Sequence, residues 1–177
     1  MERVWAPWRL EYIVGERADG CVFCEPVKQD ADEKNRILLR GKTAFVIMNA
    51  FPYSNGHLLI PPYRHVSDLS DLTDEENLEI MQLTRKCCEA LTATSNPDGF
   101  NVGINLGTAA GAGISDHLHV HVVPRWNGDT NFMPVIGNTR VLPESLERTW
   151  ERVHAAFTAV LREEDGGDEL TSSPAGV

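Results

Sequence analysis

Three histidines alternate in the segment HLHVHVV: His117, His119 and His121, half of the six histidines in the chain. Imidazole binds metals, shuttles protons and attacks electrophiles near neutral pH. An extended strand turns successive side chains to opposite faces, so this spacing gathers all three rings on one face. Leu118, Val120 and Val122 take the other face, as in a half-buried strand. On a helix the same residues could not converge. Two chemistries fit. All three rings could share a metal, the kind of face carbonic anhydrase uses. Alternatively, one ring is a nucleophile and its neighbours bind or protonate a phosphate.

The loop before the strand favours the second chemistry. Gly107, Gly111 and Gly113, with Thr108 and Ser115 nearby, let backbone N–H groups approach an anion closely. Arg125, just beyond the histidines, is a candidate cation, although an ordinary solvated arginine fits there equally well. A second cluster starts at CVFC. In a reducing compartment Cys21 and Cys24 point to zinc or redox chemistry, and they do not open the strand-to-helix turn that redox use requires. Cys87 and Cys88 lie within a helical pattern and read as packing residues.

The surrounding elements form one sequence of strands and helices. RILLRGKTAFVIMNAF reads as a hairpin turning at Arg40–Lys42, and GHLLIPP as a third strand stopped by Pro61 and Pro62. From Thr73, a capping box with Glu76 opens a long helix, for which Leu78, Met81, Leu83, Cys88 and Leu91 are the expected apolar face. GFNVGINLG is a fourth strand and DHLHVHVVPR a fifth. A second helix is expected from Glu144 to about Arg162, apolar along Leu146, Trp150, Val153, Phe157 and Val160. The fold class is therefore α+β: an antiparallel sheet covered on one face by a long helix and a C-terminal helix. One domain is expected over residues 1–162, followed by a disordered acidic tail at 163–177.

Composition narrows the partners. With 177 residues and a formal net charge of −10, the chain lacks the broad basic surface of a nucleic-acid or anionic-membrane binder. Neither a signal peptide nor a long apolar run is evident, which suits the cytoplasm.

HLHVHVV resembles the signature of the histidine triad (HIT) superfamily of nucleotide hydrolases and transferases, and AFVIMNAFPYSNGHLLIPPYRHV and FNVGINLG resemble its other blocks. That resemblance implies a HIT-like fold, with the sheet continued across a homodimer, and a small-molecule nucleotide substrate. His119 would be the nucleophile that takes a nucleotidyl group from an α-phosphate. His121 would hydrogen-bond the phosphate or departing group, and His57 would support them. Asn49 would bind ribose hydroxyls, Asn105 would sit near the substrate, and Gly111, Gly113 and Ser115 would line the phosphate loop. The family's Gly-Gln-Ser or Gly-Gln-Thr is replaced here by AGAGIS, which leaves phosphate binding to backbone groups and Ser115. Cys21, Cys24, His65 and His117 would hold a structural zinc, and the nucleophile itself would need no metal. WAPWRLEYI and VVPRWNGDTNF look like the bacterial branch that includes diadenosine tetraphosphate phosphorylases. Two further readings stay open: a zinc-stabilised nucleotide-binding module with little catalysis, and a nucleoside phosphoramidate hydrolase.

Overall fold

The computed structural model describes residues 20–129, 136 and 141–167. The aromatic opening and residues 168–177 of the expected tail lie outside them. Two short helices, α1 (Cys24–Val27) and α2 (Asp32–Asn35), lead into β1 (Ile37–Arg40), β2 (Phe45–Met48) and β3 (Leu58–Ile60). The long helix α3 (Asp74–Ser95) precedes β4 (Gly99–Ile104) and β5 (Val120–Arg125), and α4 (Leu146–Gly167) follows. The strands form one antiparallel sheet in the order β1-β2-β3-β5-β4. This is the expected α+β fold.

Strand alternation sorts the side chains. Val46, Met48, Leu58, Ile60, Val120 and Val122 pack under α3 and α4 in the main core. A smaller core lies on the opposite face, where Phe23 covers Ile37, Phe45, Ile47 and Leu59. Both faces of β2 and β3 are therefore apolar and buried. The expectation of one covered face misses this second layer, whose lid comes from the cysteine-bearing segment.

Helix α3 begins with the expected capping box: Glu76 N–H donates to the Thr73 hydroxyl while Thr73 N–H donates to the Glu76 carboxylate. Its buried face is only partly the expected one, since Leu83 and Leu91 are buried and Cys88 packs against the core as expected. Leu78 and Met81 are each 62% exposed, whereas Ile80, Leu83, Cys87, Ala90 and Leu91 are buried. Glu76 and Thr84 share that face, so apolar spacing alone misplaced it. Cys87 is buried and Cys88 half-buried, as packing residues should be.

Glu79 reaches from α3 to the β1–β2 turn and accepts from the backbone N–H groups of Lys42, Thr43 and Ala44. Gly41 permits that approach, because a Cβ there would stand 2.6 Å from the Glu79 carboxylate. Helix α4 runs to Gly167, past the expected end near Arg162, so the first residues of segment 163–177 continue it. Val153 and Phe157 lie fully inside the core. Among the described residues, no helix is long and apolar enough to cross a membrane.

Candidate active site and metal centre

Strand register brings the expected histidines together. His121 lies in β5 opposite Leu59 of β3 and Gly103 of β4, on the face away from the helices. The ladder starts only at Val120, later than expected. Just before it, Leu118 N–H donates to the carbonyl of Val66, which is outside the sheet. His117, at a bend, and His119 thus sit in the lead-in to the strand. Leu118 remains buried on the other side, so the alternation persists.

Hydrogen bonds fix which nitrogen carries each proton, because a carbonyl can only accept and a backbone N–H can only donate. His119 Nδ1 lies 2.8 Å from the His117 carbonyl oxygen and must donate to it. The lone pair of the neutral ring is therefore on Nε2. His57, fully buried, receives the Tyr53 backbone N–H at Nδ1 (3.1 Å) and the Asn49 side-chain amide at the same atom (3.1 Å). Its proton is on Nε2, 2.9 Å from His121 Nδ1, which accepts it. His121 is left with a proton on Nε2. The Asn105 amide stands 3.3 Å from that nitrogen through Nδ2, and with the amide turned over its oxygen would accept the proton. Burial lowers the His119 pKa, with the bond to the His117 carbonyl opposing the shift. Burial, followed by the charge of His119, lowers His121 to about 4. Both rings are neutral at pH 7, one presenting a lone pair and the other a proton.

Asn49 Oδ1 accepts from the Phe51 N–H at 2.9 Å, so this residue braces the turn and His57. Gly111, Gly113 and Ser115 lie in the loop before the histidines, Gly111 exposed. Gly107 and Gly111 adopt the positive φ angles that favour glycine. A cleft of about 330 Å³ opens beside His121, lined in part by Tyr53, Gly103, Asn105, Arg125 and Asp129. Arg125 donates twice to the Asp129 carboxylate, at 2.6 and 2.8 Å, so its charge is already matched. The sequence reading missed Tyr53, whose ring stacks 5.9 Å from His121 and lies 4.7 Å from His57. It sits in FPYSNG, where turn composition hides a functional side chain. Phe23 was also missed, although its position between the two cysteines was a usable signal.

The four expected metal ligands meet on the other side of His119. Single ligand atoms from Cys21, Cys24, His65 and His117 all lie within 4.8 Å of one another. His117 Nδ1 is 3.2 Å from Cys21 Sγ and 3.5 Å from Cys24 Sγ, and His65 Nδ1 is 3.4 Å from Cys24 Sγ. A tetrahedral zinc with ordinary bond lengths would place sulfur and nitrogen about 3.6 Å apart. His117 Nε2 lies 3.0 Å from the Pro62 carbonyl and must donate to it, so Nδ1 presents its lone pair to the sulfurs. The donor set fits a closed Cys₂His₂ zinc centre.

Comparison with known proteins agrees with this geometry. Residues 31–128 match the HIT domain family model. Over 158 residues the chain is 42% identical to a protein of Mycobacterium tuberculosis named AP-4-A phosphorylase, an overlap of 84% of this chain and 80% of that protein. It is 27% identical over 133 residues to an adenosine 5′-monophosphoramidase of Schizosaccharomyces pombe, covering 75% of this chain and 95% of the other. Among solved structures, a zinc-bound histidine triad family protein from Mycobacterium smegmatis is similar, with TM-score 0.66 and 29% identity over 81% of this chain and 97% of that one.

Proposed function

The chain is an enzyme belonging to the HIT domain family, and on that premise we propose that it cleaves dinucleoside polyphosphates, diadenosine tetraphosphate first among them, through a covalent nucleotidyl-histidine. The observation that carries this reading is the paired polarity of neighbouring rings: a free lone pair on His119 Nε2 beside a proton on His121 Nε2.

His119 Nε2 attacks an α-phosphorus, forming a P–N bond as the P–O bond to the remaining phosphates breaks. ATP leaves when the substrate is diadenosine tetraphosphate. His119 Nδ1–H, held by the His117 carbonyl, stabilises the positive charge that the ring acquires. His121 Nε2–H hydrogen-bonds the phosphoryl oxygens or the departing oxygen, and His57 keeps that proton aimed outward. Loop amides near Gly111 and Gly113, with Ser115, bind the other oxygens. A second lone pair on Asn49 Oδ1 is available to a ribose hydroxyl. An acceptor oxygen then displaces the histidine. Phosphate as acceptor gives ADP and water gives AMP, and the likeness to the M. tuberculosis protein favours phosphate.

Zinc in the Cys₂His₂ centre would be structural, pinning the segment around Cys21 to the sheet. The chain would work as a homodimer joined along β4, an edge strand that pairs only with β5 within the sheet and carries Val102 at 47% exposure.

The test is to incubate purified protein with diadenosine tetraphosphate, with and without phosphate, and to resolve the products by chromatography. ADP and ATP formed only with phosphate support phosphorolysis, and AMP and ATP formed without it support hydrolysis. Absence of turnover from folded, dimeric protein, or turnover that survives His119→Ala, rejects the reading. Release of AMP from a nucleoside phosphoramidate alone would move the substrate to that class.

A further inference from the structure

His117 serves two clusters at once. Its Nδ1 faces both cysteine sulfurs, its Nε2–H is tied to Pro62, and its backbone carbonyl holds the Nδ1 proton of His119. Phe23 makes a second connection. It lies between Cys21 and Cys24 and is 2% exposed. Its ring centroid is 5.2 Å from that of His117, edge to face, and 5.0 Å from that of His119. The other ring beside His119 is His121, at 4.8 Å.

Three contacts therefore bear on the orientation of the His119 imidazole: the His117 carbonyl, the Phe23 ring and the His121 ring. The first two belong to the cysteine-bearing segment or to a ligand itself. Helix α1 is a single turn of four residues and could not hold that segment by helical hydrogen bonding alone. At its N-terminus the Phe23 N–H donates to Cys21 Sγ, so the backbone under the ring is itself organised around the sulfur.

We propose that the Cys21–Cys24–His65–His117 centre, when metal-loaded, positions His119 through the His117 carbonyl and the Phe23 ring, which makes Phe23 a positioning residue for the nucleophile as well as part of the small core. This inference rests on His119 being the nucleophile. The bland alternative is that Phe23 merely fills the layer over Phe45 and Leu59, and the metal merely stabilises the fold. The two differ in what happens to the His119 ring when the protein stays folded.

The test uses the full chain in three forms: metal-loaded, chelator-stripped, and metal-loaded Phe23→Leu. Leucine retains apolar volume and removes the ring contact with His119. Metal content and melting temperature verify each form. Nitrogen-15 NMR of the imidazoles at one fixed pH then reports the His119 tautomer, and steady-state kinetics separate kcat from KM. The expected result for loaded Phe23→Leu is a full metal complement, mixed His119 tautomers in place of a single Nδ1–H form, and kcat reduced about tenfold with KM unchanged. The stripped protein should show the same tautomer mixing. A single Nδ1–H signal together with wild-type kcat in loaded Phe23→Leu would overturn the inference. So would an unchanged His119 signal in stripped protein that remains folded. If stripping unfolds the chain, the loaded variant still decides. If the wild type turns over no nucleotide, the nucleotide reading fails while the NMR comparison still decides the coupling.

Discussion

His57 Nε2 stands 2.9 Å from His121 Nδ1, and the proton between them belongs to His57. The assignment follows from the Tyr53 N–H, which can only donate and occupies His57 Nδ1. A backbone group in a turn thereby sets, through two imidazoles, which nitrogen of His121 carries the proton.

Removing His57 should therefore damage catalysis more than binding. In His57→Phe, His121 loses the donor that fixes its tautomer and can present a lone pair where a proton is needed. The expected loss in kcat is about 10- to 10²-fold, with KM changed little. Steady-state kinetics on diadenosine tetraphosphate check this, and a wild-type kcat would show that His121 holds its tautomer without help.

The pH profile follows from the same rings. Both work as neutral imidazoles, and burial lowers both pKa values, that of His121 to about 4. Activity should stay level across neutral pH and fall only on the acid side of the roughly 6.5 of an ordinary histidine, as the rings protonate. Stability shares the sign. Between about 4 and 6.5 the unfolded chain holds more protons at His121 than the folded one, so stability rises with pH and is lost on acidification. A kcat/KM limb at or above pH 6.5 would show that water reaches one of these two rings more freely than its surroundings imply.

Period two made the histidine cluster readable, because alternation groups His119 with His121 and the β3–β5 register sets His121 opposite Leu59, two residues past His57. Cys21 and Cys24 needed partners 41 and 93 residues away, which spacing could not supply and family resemblance did. Tyr53 was illegible for another reason, and Phe23 was signalled only by its place between the two cysteines. Each acts through a ring that points at an imidazole from a loop or a single helical turn, where no periodicity exists. The face of α3 was legible at Leu83 and Leu91 and misplaced at Leu78 and Met81, which are as apolar as the buried Ile80, so that only packing tells them apart.

The metal centre yields a stoichiometric expectation. Purified protein should contain one zinc per chain, and Cys24→Ser should lower that content, since Cys24 Sγ lies beside both His65 and His117. Loss of the ion unties the segment that covers Phe45 and Leu59, so the melting temperature should fall by more than about 5 °C. Elemental analysis with thermal unfolding checks both. A metal-free wild type with the same melting temperature would remove zinc from the fold.

Glu76 should matter to stability and not to chemistry. Its carboxylate takes the Thr73 N–H of the capping box and two bonds from the Arg64 guanidinium, at 2.8 and 2.5 Å. Arg64, first, and the Thr73 N–H hold its pKa down to about 2, against the pull of burial. At face value that shift corresponds to about 3 kcal/mol. The Arg64 side chain is half exposed, however, and water screens the pair, so about 1–2 kcal/mol is the better figure. Because the folded pKa is depressed, this contribution is complete above about pH 4.5 and disappears as pH falls towards 2. Glu76→Gln should accordingly unfold more easily at pH 7, with the difference from wild type shrinking steadily under acid. Zinc content and kcat should be retained, since the amide oxygen of the substituted side chain would still cap α3 and a bound zinc would itself anchor His65. Denaturant titrations at pH 7 and pH 3 make the comparison, and a pH-independent difference would mean that Glu76 acts through packing instead of charge.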